Sequence, residues 1–417
     1  MDKILIKGGA QLKGAIEISG SKNATLPLMA SSILTDEIIT IKGAPNLTDV
    51  KTLIKLLEEL GGNINFNKNV ISIQFEKIKK TKAPYDLVRK MRASILVAGP
   101  LLARCGEVSF SLPGGCAIGA RPIDIHLSGL KKMGANILLE DGYIRLSAPK
   151  GLSGASITLP TVSVGATENL VMAATLARGE TIIANAAKEP EVCDLMKCLV
   201  GMGASIEGIG TEEIRITGVK KLRGTVHEVI PDRIETGTFL IASALTSGDI
   251  EIFGAEYSHN KLIIDVLRKL GIKIEFENNK LIVQGSINGL RSCSIATKPY
   301  PGFPTDLQAQ MMALLTLADG ESFIIEEIFE NRFMHVAELN RMGANITISG
   351  SKAKILGVRG LLGAPVMATD LRASVSLVLA GLAAKGETIV NRVYHLDRGY
   401  ESLDKKLIKC GATISRI

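Results

Sequence analysis

The sequence predicts an α/β protein of two domains, each an inside-out barrel in which three βαβαββ units turn apolar helices inward, six units in all. Three observations lead there. A first marker reads Leu, two variable residues, an apolar residue, Gly, a small or apolar residue, any residue, Ile. It occurs as LEELGGNI from Leu57, LKKMGANI from Leu130, LVGMGASI from Leu199, LRKLGIKI from Leu267, LNRMGANI from Leu339 and LIKCGATI from Leu407. Its first glycines, at 61, 134, 203, 271, 343 and 411, stand roughly 70 residues apart, the signature of repeated supersecondary units. A second marker, a turn ahead of a strand, keeps the same phase: Asp36-Glu37, Gly106-Glu107, Gly179-Glu180, Gly248-Asp249, Gly320-Glu321 and Gly386-Glu387. Third, the segment before each turn is apolar on nearly every side, over 26–34, 94–103, 169–177, 239–245, 310–318 and 373–384, and such helices belong inside a domain.

The fifth copy shows the order of elements. Periodicity gives a strand over 293–297, an apolar helix over 307–317, a strand over 322–327, an amphipathic helix over 334–342 ended by Gly343, and strands over 345–349 and 354–356. The second helix of each copy carries lysines and glutamates on one side and faces solvent. The sixth copy runs out at Ile417 before its last strand, and ILI between Lys3 and Lys7 has that strand's pattern. Pairing of the chain ends then gives one domain over 22–230, holding copies one to three and a cysteine loop, and a second over 231–417 together with 1–21.

Function is read where the copies differ. The starts of the apolar helices, where unpaired backbone N–H groups favour anions, carry Ser21-Lys22-Asn23; Asp86 with Arg89, Lys90 and Arg92; Ser163 to Thr167; Asp232-Arg233 with Glu235; Thr305-Asp306; and Asp370 with Arg372. Facing a common cleft between the two domains, these ends would make an anion site with acid–base groups. Helix capping is the competing role, and for Asp232 and Thr305 both readings stay open. A cation at a helix N-terminus opposes the macrodipole, so Lys22 and Arg92 point to a ligand.

Copy two is the longest between its two markers, and the excess lies in SLPGGCAIGARPID, 111–124. A thiol among glycines with a cation nearby, as Cys116 has in Arg121, suits proton donation or nucleophilic attack from a lid. The other reading of a free cysteine is a small buried hydrophobe. Arg332 in IFENRF and Arg398 in VYHLDRGYES read as solvated loop charges or as guanidinium clamps for carboxylate or phosphate. His126, His259 and His395 read as helix-face or cap residues.

Composition bounds the partners. With 46% hydrophobic and 22% charged residues among 417, the chain is that of a soluble globular protein. A net charge of +7 with only 4% aromatics fits an anionic small molecule better than nucleic acid, which would ask for clustered bases and stacking rings. No basic head with an apolar core opens the chain and no apolar run approaches the roughly 18 residues of a membrane span, so a cytoplasmic protein without membrane contact is expected. The six cysteines show no metal-ligand spacing, and no metal or cofactor is expected.

SGSKNA at 19–24, LPGGCAIGARPID at 112–124, SVGATEN at 163–169 and TDLRA at 369–373 carry a resemblance over the whole length. The chain resembles the UDP-N-acetylglucosamine enolpyruvyl transferases of the EPSP synthase superfamily. That resemblance implies two domains of three βαβαββ units and transfer of the enolpyruvyl group of phosphoenolpyruvate to the 3′-hydroxyl of UDP-N-acetylglucosamine, with release of phosphate, at the start of peptidoglycan synthesis. It implies Cys116 as general acid and as the thiol alkylated by fosfomycin, and Asp306 at the sugar hydroxyl as base or as part of the proton path. Lys22, Arg121 and Arg398 then match phosphoenolpyruvate contacts, with Asp370 and Arg372 beside them and Arg332 near the reacting centre. Asn23, Arg92, Arg121, Pro122, Ile123, Asp124, Ile125, Thr161, Val162, Ser163, Val164, Asp306 and Ile328 match nucleotide-sugar positions. At Thr161 some members carry a basic residue, so a diphosphate contact there passes to Arg121 or solvent. The rival readings are an enolpyruvyl transferase acting on shikimate 3-phosphate and a non-catalytic nucleotide-sugar binder.

Overall fold

The structure, a computed structural model, describes residues 3–114, 123–286 and 289–417. The chain forms two compact units, one from the N-terminal residues up to Ser19 with Pro231–Ile417, the other from residues between Gly20 and Ile230. Each has its own core of buried aliphatic side chains, the first including Ile4, Phe239, Leu314 and Leu379, the second Leu28, Phe75, Leu101 and Leu170.

Six sheets follow one plan. The first strand of a copy lies parallel to the second, as a crossover through a helix requires, the fourth lies antiparallel to the second, and the third closes the far edge. In copies one, two and four the third and fourth strands are joined by tight hairpins, whose two-residue turns Lys68-Asn69, Asp141-Gly142 and Asn278-Asn279 have positive φ at both residues, the twist a hairpin favours. The recurring glycine ends the second helix: Gly61, Gly134, Gly203, Gly271, Gly343 and Gly411 take φ between 91° and 110°, where a side chain is strained. That conformational demand is why the residue repeats.

Strand ownership is less local. Ile4–Lys7 lies between Glu387–Asn391 and Thr413–Arg416 and fills the place the sixth copy leaves open. Lys13–Glu17, which opens copy one in the chain, pairs with Asp249–Phe253 of copy four, while Thr225–Glu228, which leads into copy four, pairs with Ile39–Lys42 of copy one. The chain leaves the first of these strands through Gly20, where an added Cβ would stand 2.0 Å from the Gly43 carbonyl oxygen. Just before it, Ser19 is pinned: its N–H donates to Glu235 at 2.7 Å and its hydroxyl accepts from Lys406 at 2.8 Å. In copy two the first strand is reduced to a single bridge, Lys82 with Ser109.

Inside each unit the first helices pack on one another. In one unit these are Arg233–Leu245, Gln308–Leu315 and Leu371–Ala383; in the other, Ala98–Cys105 packs on Val164–Ala174, and Lys22–Ser31 packs on the 3-10 segment Arg92–Val97 that precedes Ala98–Cys105. Several starts differ from the periodicity. Copy two opens as the 3-10 turn Arg92–Val97 because Pro100 has no N–H for the carbonyl of residue 96 and would crowd it in an α-helix. Copy four starts earlier, at Arg233, because the Asp232 carboxylate accepts from the N–H groups of Ile234 and Glu235. The second helix of copy five is shorter, Val336–Arg341, and its last strand longer, Lys352–Leu356.

Candidate active site

Helix starts bring charge together in the unit that holds copies four to six. The Asp306 carboxylate, in the 3-10 turn Thr305–Leu307, accepts from Arg332 Nη2 at Oδ1 and from Arg372 Nη2 at Oδ2, both at 2.7 Å. Both guanidinium side chains are 5% exposed, and Asp306 retains 24%. Burial pushes the Asp306 carboxyl up, but Arg372 and Arg332 outweigh it and hold the group well below the usual carboxylate range. Asp370 caps the helix Leu371–Ala383, accepting from the N–H groups of Arg372 and Ala373, which fixes the backbone from which Arg372 reaches Asp306.

A second ring of polar groups backs this pair. Glu326 Oε2 accepts from the Thr305 hydroxyl at 2.9 Å, and Thr305 Oγ1 accepts from Arg332 Nη1 at 3.2 Å. Glu326 Oε1 gathers the N–H groups of Ile328 and Phe329, so the loop carrying Ile328 and Arg332 is tied to the same carboxylate. Thr305 is therefore no helix cap, whereas Asp232 is one. The buried His335 imidazole is pushed down to about 4, by burial first and by Arg332, against the pull of Asp370. Arg398 closes the 3-10 segment Val393–Arg398, and with Asp370 it sets the field at His395.

In the other unit Lys22 is the first residue of the helix Lys22–Ser31, which Ser21 caps. Its ammonium meets Asp49 Oδ2 at 3.5 Å, both side chains nearly buried, so the cation that opposes the helix dipole has a carboxylate nearby. Asn23 and Arg92 are half-buried at their helix starts. Ser163 caps Val164–Ala174 through the Ala166 N–H; Val162, Ser163 and Val164 are half-buried and Thr161 is exposed. Ile123 is buried, Asp124 is the exposed first residue of Asp124–Lys132, and Ile125 is half-buried beside it. Cys116, Arg121 and Pro122 lie outside the described residues.

Asp306, Arg332, Arg372 and Asp370 thus form one hydrogen-bonded group, and Lys22 is paired with Asp49 within the other unit. Periodicity overlooks Asp49, Thr238, Glu326, Gln310 and Tyr400. A usable signal exists for Gln310 and Thr238, polar residues in the middle of helices otherwise built for burial; Tyr400 stands in the Arg398 segment and carries no pattern of its own.

A family model for EPSP synthase (3-phosphoshikimate 1-carboxyvinyltransferase) matches residues 6–407. The chain belongs to the EPSP synthase family. It is 56% identical over 430 residues, covering 100% of this chain and 99% of the relative, to a UDP-N-acetylglucosamine 1-carboxyvinyltransferase of Rhodospirillum centenum. An enzyme of the same description from Magnetococcus marinus is 56% identical over 418 residues and is covered in full, as is this chain. Among solved structures, the enolpyruvyl transferase NikO from Streptomyces tendae superposes with a TM-score of 0.91 at 24% identity, covering 100% of this chain and 99% of that one. An EPSP synthase from Acinetobacter baumannii gives 0.79 at 19%, each chain covered in full, and both likenesses bear on the fold.

The five described cysteines of this EPSP synthase family member all sit where burial disfavours the thiolate. Burial pushes the thiols of Cys105, Cys193, Cys198, Cys293 and Cys410 up, Cys293 to about 11 and Cys198 to about 12. Brief treatment of the folded protein with iodoacetamide at neutral pH is therefore expected to label Cys116 first, read by peptide mass mapping. Equal labelling of Cys105 or Cys193 would count against it. Among the described residues no helix is long and apolar enough to cross a membrane.

Proposed function

We infer that the chain transfers the enolpyruvyl group of phosphoenolpyruvate to the 3′-hydroxyl of UDP-N-acetylglucosamine, releasing phosphate, as a cytoplasmic enzyme of peptidoglycan-precursor synthesis. The observation that carries this is the full-length identity of 54–56% to relatives that are each UDP-N-acetylglucosamine 1-carboxyvinyltransferases. The LPGGC motif at 112–116 supports this acceptor over shikimate 3-phosphate.

The transfer is an addition followed by an elimination. A proton goes to C3 of phosphoenolpyruvate while the sugar oxygen, losing its own proton to a base, bonds to C2. The tetrahedral ketal then gives up a proton from C3 and breaks its C2–O bond to phosphate. Cys116 is the acid toward C3 and Asp306 the base toward the sugar hydroxyl. Lys22, Arg121 and Arg398 take the phosphate and carboxylate, with Asp370, Arg372 and Arg332 beside the reacting atoms. Asn23, Arg92, residues 121–125 and 161–164, and Ile328 receive the nucleotide sugar.

Clamped by two guanidinium groups, Asp306 is a weak base in the ligand-free protein. An anionic substrate that draws one of them away lets the carboxyl rise toward its usual value, where accepting a proton is less uphill. The test is phosphate release from phosphoenolpyruvate with each acceptor in turn. Release with UDP-N-acetylglucosamine and not with shikimate 3-phosphate is expected; the reverse preference, or release with neither, overturns the reading.

A further inference from the structure

We propose that Tyr400 is a positioning residue for this transfer, its buried hydroxyl fixing the Arg372 guanidinium so that one of its N–H groups stays on Asp306. The proposal rests on Asp306 being the base. Tyr400 is 2% exposed, and its ring stands 5.6 Å from the Arg372 guanidinium carbon. Its oxygen accepts from Arg372 Nη1 and from Gln310 Nε2, each at 3.2 Å, and lies 2.9 Å from Thr238 Oγ1. The direction of that last bond is settled by the neighbours. Thr238 spends its hydrogen on the Ile234 carbonyl at 2.8 Å, so Tyr400 is the donor to Thr238. A phenol has one hydrogen and two acceptor sites, and here all three are engaged.

Such a hydroxyl has nowhere else to turn. Thr238, Gln310 and Arg372 belong to the three central helices of the unit, and Gln310 also donates to the Asp306 carbonyl at 2.9 Å, so the network ties the Asp306 turn to all three. Arg372 consequently has two fixed contacts on one guanidinium plane, Tyr400 on Nη1 and Asp306 on Nη2. Arg332 approaches from a loop, and its buried Nε has no hydrogen-bond partner among the described residues. Arg332 is held likewise, Nη1 on Thr305 and Nη2 on Asp306, so Tyr400 governs the Arg372 half of the clamp.

The charged groups around Asp306 leave its titration readable. Arg332 and Arg372 face it directly, Asp232 acts on Arg372, and Asp370 acts on His335, which is held neutral above about 4; Glu326 stands behind Thr305, and burial keeps the Tyr400 phenol protonated beyond its ordinary range. Loosening Arg372 weakens the stabilisation of the Asp306 carboxylate, so its titration moves to higher pH.

The experiment compares wild type with Tyr400→Phe, which keeps the ring and removes the oxygen. Three readouts are taken: the ¹³C carboxyl titration of Asp306 in the ligand-free protein, the acid limb of kcat against pH, and KM for UDP-N-acetylglucosamine. Expected are an upward move of the Asp306 midpoint, a move of the acid limb the same way, and a fall in kcat between about tenfold and a hundredfold with KM little changed. An unmoved Asp306 titration, or a loss of activity that tracks unfolding temperature alone, overturns the proposal. Should Tyr400→Phe not fold, Thr238→Val, which removes the acceptor for the phenol, is read in the same way and is expected to shift the midpoint upward by less. A wild type without transferase activity would sink the base role of Asp306, while the carboxyl titration still decides whether Tyr400 sets the Arg372 contact.

Discussion

Cys116→Ser is expected to lower kcat by at least about a hundredfold while leaving the circular dichroism spectrum unchanged, because an alcohol is a far weaker acid than a thiol at the carbon that must be protonated. Cys116→Asp is expected to keep turnover and to resist fosfomycin, since a carboxylic acid donates a proton but a carboxylate opens an epoxide poorly. The pair is measured by phosphate release with UDP-N-acetylglucosamine and by mass spectrometry of the intact protein after fosfomycin. Each substitution tests a different property, acidity in the first and nucleophilicity in the second. A serine enzyme with wild-type rate near neutral pH removes Cys116 from the chemistry. An aspartate enzyme that is alkylated as fast as wild type shows that fosfomycin reacts elsewhere.

Asp306→Asn is expected to cost both activity and stability. Loss of the base lowers kcat by about 10²- to 10⁴-fold. The same change leaves Arg332 and Arg372, buried and 2.7 Å from the missing charge, without their counter-ion, and breaking a buried pair from one side costs about 3–5 kcal/mol. The pH dependence has a definite sign. The folded-state value of Asp306 is depressed, so its contribution is fully present above the unfolded carboxylate range and is lost as pH falls through the folded value. The stability gap between wild type and Asp306→Asn, from urea unfolding, should therefore be widest near neutrality and close as the solution is taken below the usual carboxylate range. A gap independent of pH would mean that the asparagine acts through packing alone. An asparagine enzyme with wild-type kcat would remove Asp306 as base.

Much of the architecture is legible because it rests on local demands. The helix-ending glycines recur because each must take a positive φ, and the apolar first helices recur because each is enclosed. Asp306, Arg332 and Arg372 stand at joints where a charge breaks the pattern of its copy, and the structure places all three in one network. What stays hidden depends on pairing across long separations. Nothing in KGAIE at Lys13–Glu17 says that its partner is Asp249–Phe253, since a short strand with one buried side chain fits many edges. Tyr400 acts through residues 28, 90 and 162 positions away, and no local period encodes that.

The exchange of opening strands between copies one and four bears on how the polypeptide matures. Every strand of the three sheets between Gly20 and Ile230 is made from that stretch itself, so this half has all its partners once residue 230 has left the ribosome. The other half begins with residues synthesised first and finished last: Lys13–Glu17 waits for Asp249–Phe253, and Ile4–Lys7 waits for Thr413–Arg416. Nascent chains halted before residue 249 should thus expose two unpaired N-terminal segments, the sites at which chaperones or a neighbouring copy would first take hold.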